Sequence, residues 1–231
     1  MKKMICVLAV CCLLAAGLAF LLPDSYPASE DALLACAHGG KEGGVTVFEP
    51  EQTHAAMIFY PGGLVQHEAY APLMRALSER GILCLLCEMP MDLAVLDMNA
   101  AAALRAQYAD RTDTWLIGGH SLGGAMAASH LKEKDKDYDA LVLLGAYAAD
   151  DLSGTALRVL SVYGTEDGVM NREKYVQSLA YYPAEFTELV LDGGNHANFG
   201  DYGAQKGDGE ATIARSEQIE RTADAIAALI R

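Results

Sequence analysis

Positive charge is scarce in this chain: 17 Lys and Arg stand against 31 Asp and Glu across 231 residues, a formal net charge of -14. The basic residues form no cluster. Neutralising a phosphate backbone takes a patch of Lys and Arg, so a nucleic-acid partner is excluded, and an acidic surface gains nothing from anionic lipid. The sequence holds no H-E-x-x-H, no paired C-x-x-C motifs and no P-loop string, so no metal and no cofactor is expected. The stretch Gly200 to Glu210 is rich in Gly and Asp but lacks calcium-loop spacing. It is expected to close over the corner carrying His196 and to cap the last helix.

Cysteines are few, and three of the six (Cys6, Cys11, Cys12) sit in the first apolar segment. The odd remainder of Cys36, Cys84 and Cys87 excludes a full disulfide framework. Cys84 and Cys87 have redox-pair spacing, yet they lie within the apolar run Ile82 to Cys87, where an odd separation puts them on opposite faces of a strand. Internal repeats and low-complexity tracts are absent. With 52% hydrophobic and 21% charged residues, the chain has the composition of one compact domain.

There is one long uncharged run. Met4 to Leu22 forms nineteen positions without a charge after Lys2 and Lys3, and roughly 20 apolar residues cross a bilayer as a helix. The lysines stay on the cytoplasmic side, which puts the remainder outside. A cleaved signal peptide fits as well, with Gly17-Leu18-Ala19 as a small-residue cleavage site. The expected division is an anchor or signal peptide with linker over 1–27 and one domain over 28–231, extracytoplasmic in either case. Loss of residues 1–22 removes two positive charges and takes the net charge from -14 to -16.

Short apolar runs ending in Gly, Pro or Asp recur at Met57 to Tyr60, Ile82 to Cys87, Trp115 to Ile117, Leu141 to Leu144, Val159 to Tyr163 and Leu189 to Leu191. Continuous rather than alternating apolarity marks strands covered on both faces. Helical stretches separate them: Ala69 to Arg80, Leu93 to Tyr108, Leu122 to Lys132, Arg172 to Tyr181 and Ala211 to Ile230. This alternation predicts an α/β fold, a doubly wound, mostly parallel sheet with helices on both faces. Val45 to Phe48 and Leu33 to Ala37 are further candidates for antiparallel edge strands.

In such sheets functional groups gather beyond the carboxyl ends of the strands. After Trp115 to Ile117 comes Gly118-Gly119-His120-Ser121-Leu122-Gly123-Gly124, a G-x-S-x-G string between strand and helix. The tight turn leaves no room for side chains two positions either side of the serine. After Val159 to Tyr163 comes Gly164-Thr165-Glu166-Asp167-Gly168, and after Leu189 to Leu191 comes Asp192-Gly193-Gly194-Asn195-His196. Asp167 is 46 residues beyond Ser121 and His196 a further 29. A serine hydroxyl becomes a useful nucleophile when a histidine takes its proton and a buried carboxylate fixes that histidine's tautomer. Asp150 and Asp151 are alternative acids, after the preceding strand. His67 reads as a solvated loop residue, and His120, next to the nucleophile on a sharp turn, is expected to point elsewhere. His38, His54 and His130 have no motif context.

Together with Tyr60-Pro61-Gly62-Gly63-Leu64, these motifs give residues 30–231 a resemblance to the α/β-hydrolase family, close to its small lidless dienelactone-hydrolase-like esterases. The resemblance implies a triad of Ser121, Asp167 and His196. Dienelactone hydrolases usually carry cysteine as the nucleophile, and this chain has serine, so the dienelactone substrate does not carry over. An oxyanion hole needs the backbone N–H of Leu122 and a second from the loop after the first strand, where Gly63 and Leu64 are both candidates. Only the eleven residues Ala146 to Ala156 are available where lidded relatives insert a cap, so no cap domain is expected. The expectation is a serine hydrolase acting on a small-molecule ester or thioester. An acyltransferase with the same residues and a silent binding module on the same scaffold are the alternatives.

Overall fold

The computed structural model describes residues 24–230, so the apolar run Met4 to Leu22 lies outside the described residues. Among those described, no helix is long and apolar enough to cross a membrane.

Among the described residues eight strands form one sheet: β1 (Gly40–Glu42), β2 (Val45–Phe48), β3 (Ala55–Tyr60), β4 (Ile82–Cys87), β5 (Trp115–His120), β6 (Ala140–Leu144), β7 (Arg158–Gly164) and β8 (Phe186–Leu191). Their order is β1-β2-β4-β3-β5-β6-β7-β8. From β4 to β8 every pairing is parallel, whereas β1 and β2 form an antiparallel edge. The fully apolar runs became strands because both of their faces are covered: every residue of β3, β4, β5 and β6 is buried. The helices are α1 (Glu30–Cys36), α2 (Ala71–Ser78), α3 (Ala100–Gln107), α4 (Leu122–Lys134), α5 (Arg172–Ser178) and α6 (Arg215–Ala228).

The sheet separates two apolar cores. On one side, α2 and α6 lay Leu73, Met74, Leu77, Ile219, Ala223 and Ile226 against Met57, Cys84, Leu116 and Val142. On the other, α3 and α4 lay Ala101, Ala127, Ala128 and Leu131 against Ile58, Cys87, Ile117 and Leu143. Cys84 and Cys87 thus face opposite cores, as their spacing requires, and both are buried free thiols, as is Cys36. Burial pushes the two strand thiols well above the ordinary range, which keeps them protonated.

Three expectations need correction. Leu33 to Ala37 is not a strand but part of α1, because Ser29 caps Ala32 N–H and Glu30 and Asp31 occupy the first turn, where the helix dipole favours them. Residues 93–99 do not continue α3; a short 3-10 turn at Ala94–Leu96 precedes it, and Met91 and Asp92 have positive φ. The Gly200 to Glu210 loop does not cap α6, whose N-cap is Ala214 without a side-chain bond. Residues 145–157, which join β6 to β7, contain no helix, so no cap domain covers the carboxyl edge there.

Candidate active site

Ser121, Asp167 and His196 come from three separate strand ends. Ser121 follows β5 and precedes α4, with φ 51 and ψ -121. A non-glycine residue in this region carries strain of about 1–3 kcal/mol and persists because its surroundings over-determine it. Here the flanking glycines do so. A Cβ on Gly119 would lie 2.6 Å from Tyr60 O, and one on Gly123 would lie 2.2 Å from Pro61 O and 2.3 Å from Tyr60 O. These are backbone atoms that cannot swing aside. Gly123→Ala is therefore expected to destabilise the fold by about 3 kcal/mol or more, read as a lowered Tm; an unchanged Tm would show that this turn can widen freely.

Asp167 and His196 form a closed pair. His196 Nδ1 lies 2.9 Å from Asp167 Oδ2, and the two side chains are 1% and 0% exposed. The other carboxylate oxygen, Asp167 Oδ1, accepts the N–H groups of Val169 at 2.9 Å and Met170 at 2.8 Å. Burial alone would raise the Asp167 pKa. The hydrogen bond and charge of His196, with the two amides, outweigh it and hold the carboxyl below its usual range. An ionised carboxylate is acceptor-only, so Nδ1 is the donor of this bond, and in the neutral imidazole Nε2 is the nitrogen that holds the lone pair. That Nε2 is buried and has no hydrogen-bond partner among the described residues, Ser121 Oγ included.

The serine turn and the histidine share their neighbours. Ser121 N–H donates to Leu144 O at 2.9 Å. The next residue, Gly145, has φ +52, and a Cβ on it would lie 2.8 Å from His196 Nδ1 and 3.1 Å from Asp167 Oδ2. Glycine at 145 lets the end of β6 pass beneath the imidazole, a requirement the sequence reading missed although a glycine directly after an apolar strand was its available signal. Asp208 also went unrecognised. Its Oδ1 accepts the N–H of His196 at 3.2 Å and of Gly168 at 3.1 Å, while Oδ2 accepts Ala197 N–H at 2.8 Å. One carboxylate thereby ties the histidine loop to the aspartate loop, which is how the Gly200 to Glu210 stretch closes over this corner.

The two candidates for a second oxyanion donor are now distinguishable. Leu64 N–H is engaged by Asp92 O at 2.8 Å, and Gly62 N–H by Tyr70 Oη at 3.0 Å. Gly63 N–H has no acceptor among the described residues. Leu122 is the first residue of α4, so its N–H has no intrahelical partner. The Gly63 backbone packs against it: a Cβ at 63 would sit 2.9 Å from Leu122 Cδ2. Among the described residues the amides of Gly63 and Leu122 thus have no acceptor, Gly63 lies against the Leu122 side chain, and a helix N-terminus favours developing negative charge.

The remaining candidates fall elsewhere. Asp150 pairs with Ser129 Oγ and Lys132, and Asp151 accepts Ser153 N–H, so neither is in place to hold His196. Glu166 and Asp192 are exposed. His67 is buried rather than solvated, with Nδ1 3.2 Å from Glu68 Oε2. His120 does not point elsewhere: its ring lies against that of His196, centroids 4.3 Å apart. Sequence adjacency to Ser121 concealed this, because the strained serine turns its own side chain off the strand while residue 120 keeps the strand's alternation. His130 bonds Asn99 Oδ1 and Tyr138 Oη. Among the described residues no cluster of metal-ligating side chains occurs.

Comparison with known proteins agrees with this architecture. The sequence profile of the alpha/beta hydrolase family matches residues 56–220. No curated protein sequence matches the chain. Among solved structures, the chain is similar to Est1E from Butyrivibrio proteoclasticus, at 15% identity and a TM-score of 0.62 over 83% of this chain and 97% of that one. An esterase domain from Rhodothermus marinus aligns at 15% identity with a TM-score of 0.58, over 80% and 90% of the two chains. A serine hydrolase without a lid from Xanthomonas campestris aligns at 18% identity with a TM-score of 0.52, over 66% and 79%. At such identities the likeness is one of fold.

Proposed function

The chain belongs to the alpha/beta hydrolase family, and from that premise we propose that it is a serine hydrolase cleaving a carboxylic ester or thioester through an acyl-enzyme on Ser121. The observation that carries this reading is the buried Asp167–His196 pair with an unpartnered Nε2, set beside a serine in a strained turn.

In the first step His196 Nε2 removes the Ser121 hydroxyl proton as Oγ attacks the carbonyl carbon, and the carbonyl π electrons move onto oxygen. The Leu122 and Gly63 amides receive that oxyanion. The tetrahedral intermediate collapses, His196 returns its proton to the departing alcohol or thiol, and the acyl group stays on Ser121. Water, deprotonated by the same Nε2, then repeats the sequence and releases the acid. Asp167 stays ionised and stabilises the imidazolium at each stage. Serine–histidine hydrogen bonds are often long before substrate binds, which accommodates the unpartnered Nε2.

A fluorophosphonate reagent tests the reading without knowledge of the substrate. The expected result is a single adduct on Ser121 by peptide mass spectrometry; folded protein that stays unlabelled favours a binding module on this scaffold instead. The same proposal holds the domain outside a membrane through residues 4–22, on the strength of Lys2, Lys3 and the uncharged run that follows. Membrane fractionation with the N-terminal mass checks it: an intact N-terminus in the membrane fraction means an anchor, loss of the first twenty or so residues a signal peptide, and intact cytosolic protein refutes export.

A further inference from the structure

Two buried side chains beside Ser121 take no part in the chemistry above. Tyr70 is 0% and His120 1% exposed, and Tyr70 Oη lies 2.8 Å from His120 Nδ1. The same hydroxyl accepts the Gly62 N–H at 3.0 Å. A tyrosine hydroxyl has one hydrogen, and among the described residues His120 Nδ1 is its only available acceptor. Tyr70 Oη takes the Gly62 N–H, and with its own hydrogen given to His120 Nδ1 the His120 proton sits on Nε2, a buried atom with no hydrogen-bond partner among the described residues. Burial, with the neighbouring His196 as a secondary cause, holds His120 well below the ordinary histidine pKa, so the ring stays neutral. Burial likewise raises the Tyr70 hydroxyl and keeps it a donor.

Both ends of this bridge touch the proposed machinery. Gly62 immediately precedes the free amide of Gly63. A Cβ at 62 would fall 2.7 Å from Tyr70 Oη and 2.8 Å from His120 Nδ1, so the bridge occupies the space a side chain would need. At the other end the His120 ring packs against the rings of His196, at 4.3 Å, and Phe199, at 5.6 Å. Two apolar side chains could fill this volume, but neither could hold a buried amide that lies outside any helix or strand. We propose that Tyr70 and His120 are positioning residues, one bridge that fixes the Gly62–Gly63 backbone so that the Gly63 amide meets the oxyanion, and that buttresses the His196 ring with a neutral imidazole. This inference rests on the assignment of Ser121 as nucleophile.

The experiment measures fluorophosphonate labelling of Ser121 against time and reagent concentration, giving kinact and KI, together with Tm. Tyr70→Phe and His120→Leu are each expected to lower kinact about tenfold while KI stays within about twofold, because the bridge acts on the transition state rather than on reagent binding. The double variant should be no slower than the slower single, since both remove one bridge. His120→Asn, whose Oδ1 stands where Nδ1 accepts, should recover labelling to within about threefold of the parent. Unchanged kinact in either single variant, a fall in Tm alone, or effects that multiply in the double variant would overturn the proposal. If Tyr70→Phe fails to fold, His120→Leu and its asparagine counterpart decide alone. An unlabelled parent chain overturns the functional reading and this inference with it; a labelled parent whose variants react at the parental rate overturns this inference only.

Discussion

Ser121→Ala is expected to lower kcat for ester hydrolysis by about 10⁴-fold or more, with Tm close to that of the parent. The size follows from what the proposed mechanism asks of the hydroxyl: it alone at this turn would form the acyl-enzyme, and the amides of Gly63 and Leu122 would retain only the part of catalysis that comes from charge stabilisation. The small effect on Tm follows from the hydrogen-bond pattern. The turn is held by the Ser121 N–H on Leu144 O and by the glycine contacts around Gly119 and Gly123, and the side-chain oxygen neither caps α4 nor makes another hydrogen bond among the described residues. Alanine leaves all of these in place. A residual kcat within tenfold of the parent would remove Ser121 from the mechanism.

Asp167→Asn should cost about 10³- to 10⁴-fold in kcat, and the reason lies in the direction of one hydrogen bond. Asp167 Oδ1 accepts two amides, from Val169 and Met170, so the carboxamide oxygen of asparagine takes that side and its NH₂ group faces His196. A donor then meets Nδ1, the imidazole must move its proton to Nε2, and the atom that should accept the Ser121 proton is occupied. The variant also reports on stability. The Asp167 pKa is lowered in the folded protein, so its contribution is fully present above the unfolded carboxylate value of about 3.9 and is lost as pH falls through the lower folded value. The stability gap between parent and Asp167→Asn, followed by chemical denaturation, should narrow as pH drops below about 4. Activity retained near neutral pH, or a gap that widens in acid, would contradict this account.

Where one residue type satisfied a local requirement, the sequence was legible. Strands β3 to β6 were readable because complete burial demands unbroken apolar runs, whereas the start of β8 was missed because it lies at the sheet edge, where Thr187 and Glu188 are exposed. The misreading of Leu33 to Ala37 has a similar origin: Leu33 and Leu34 are 48% and 67% exposed in α1, so apolarity there does not report burial. The G-x-S-x-G string and the order Ser, Asp, His could be read directly, since a turn too tight for a Cβ and a side chain at each strand end are properties of short segments.

What connects those segments could not be read. That the Leu64 amide is taken while the Gly63 amide has no acceptor among the described residues depends on Asp92 O, 28 residues from Leu64. The place of Tyr70 depends on a hydroxyl meeting an imidazole 50 residues distant. The sequence by itself determined the parallel layered sheet and the residue types at its carboxyl edge, because local sterics and burial act on neighbours along the chain. Only the tertiary structure decided which amides stay free, which imidazole nitrogen holds the proton and which buried side chains brace the others, because a hydrogen bond saturates one donor with one acceptor, and that pairing is settled when distant segments meet.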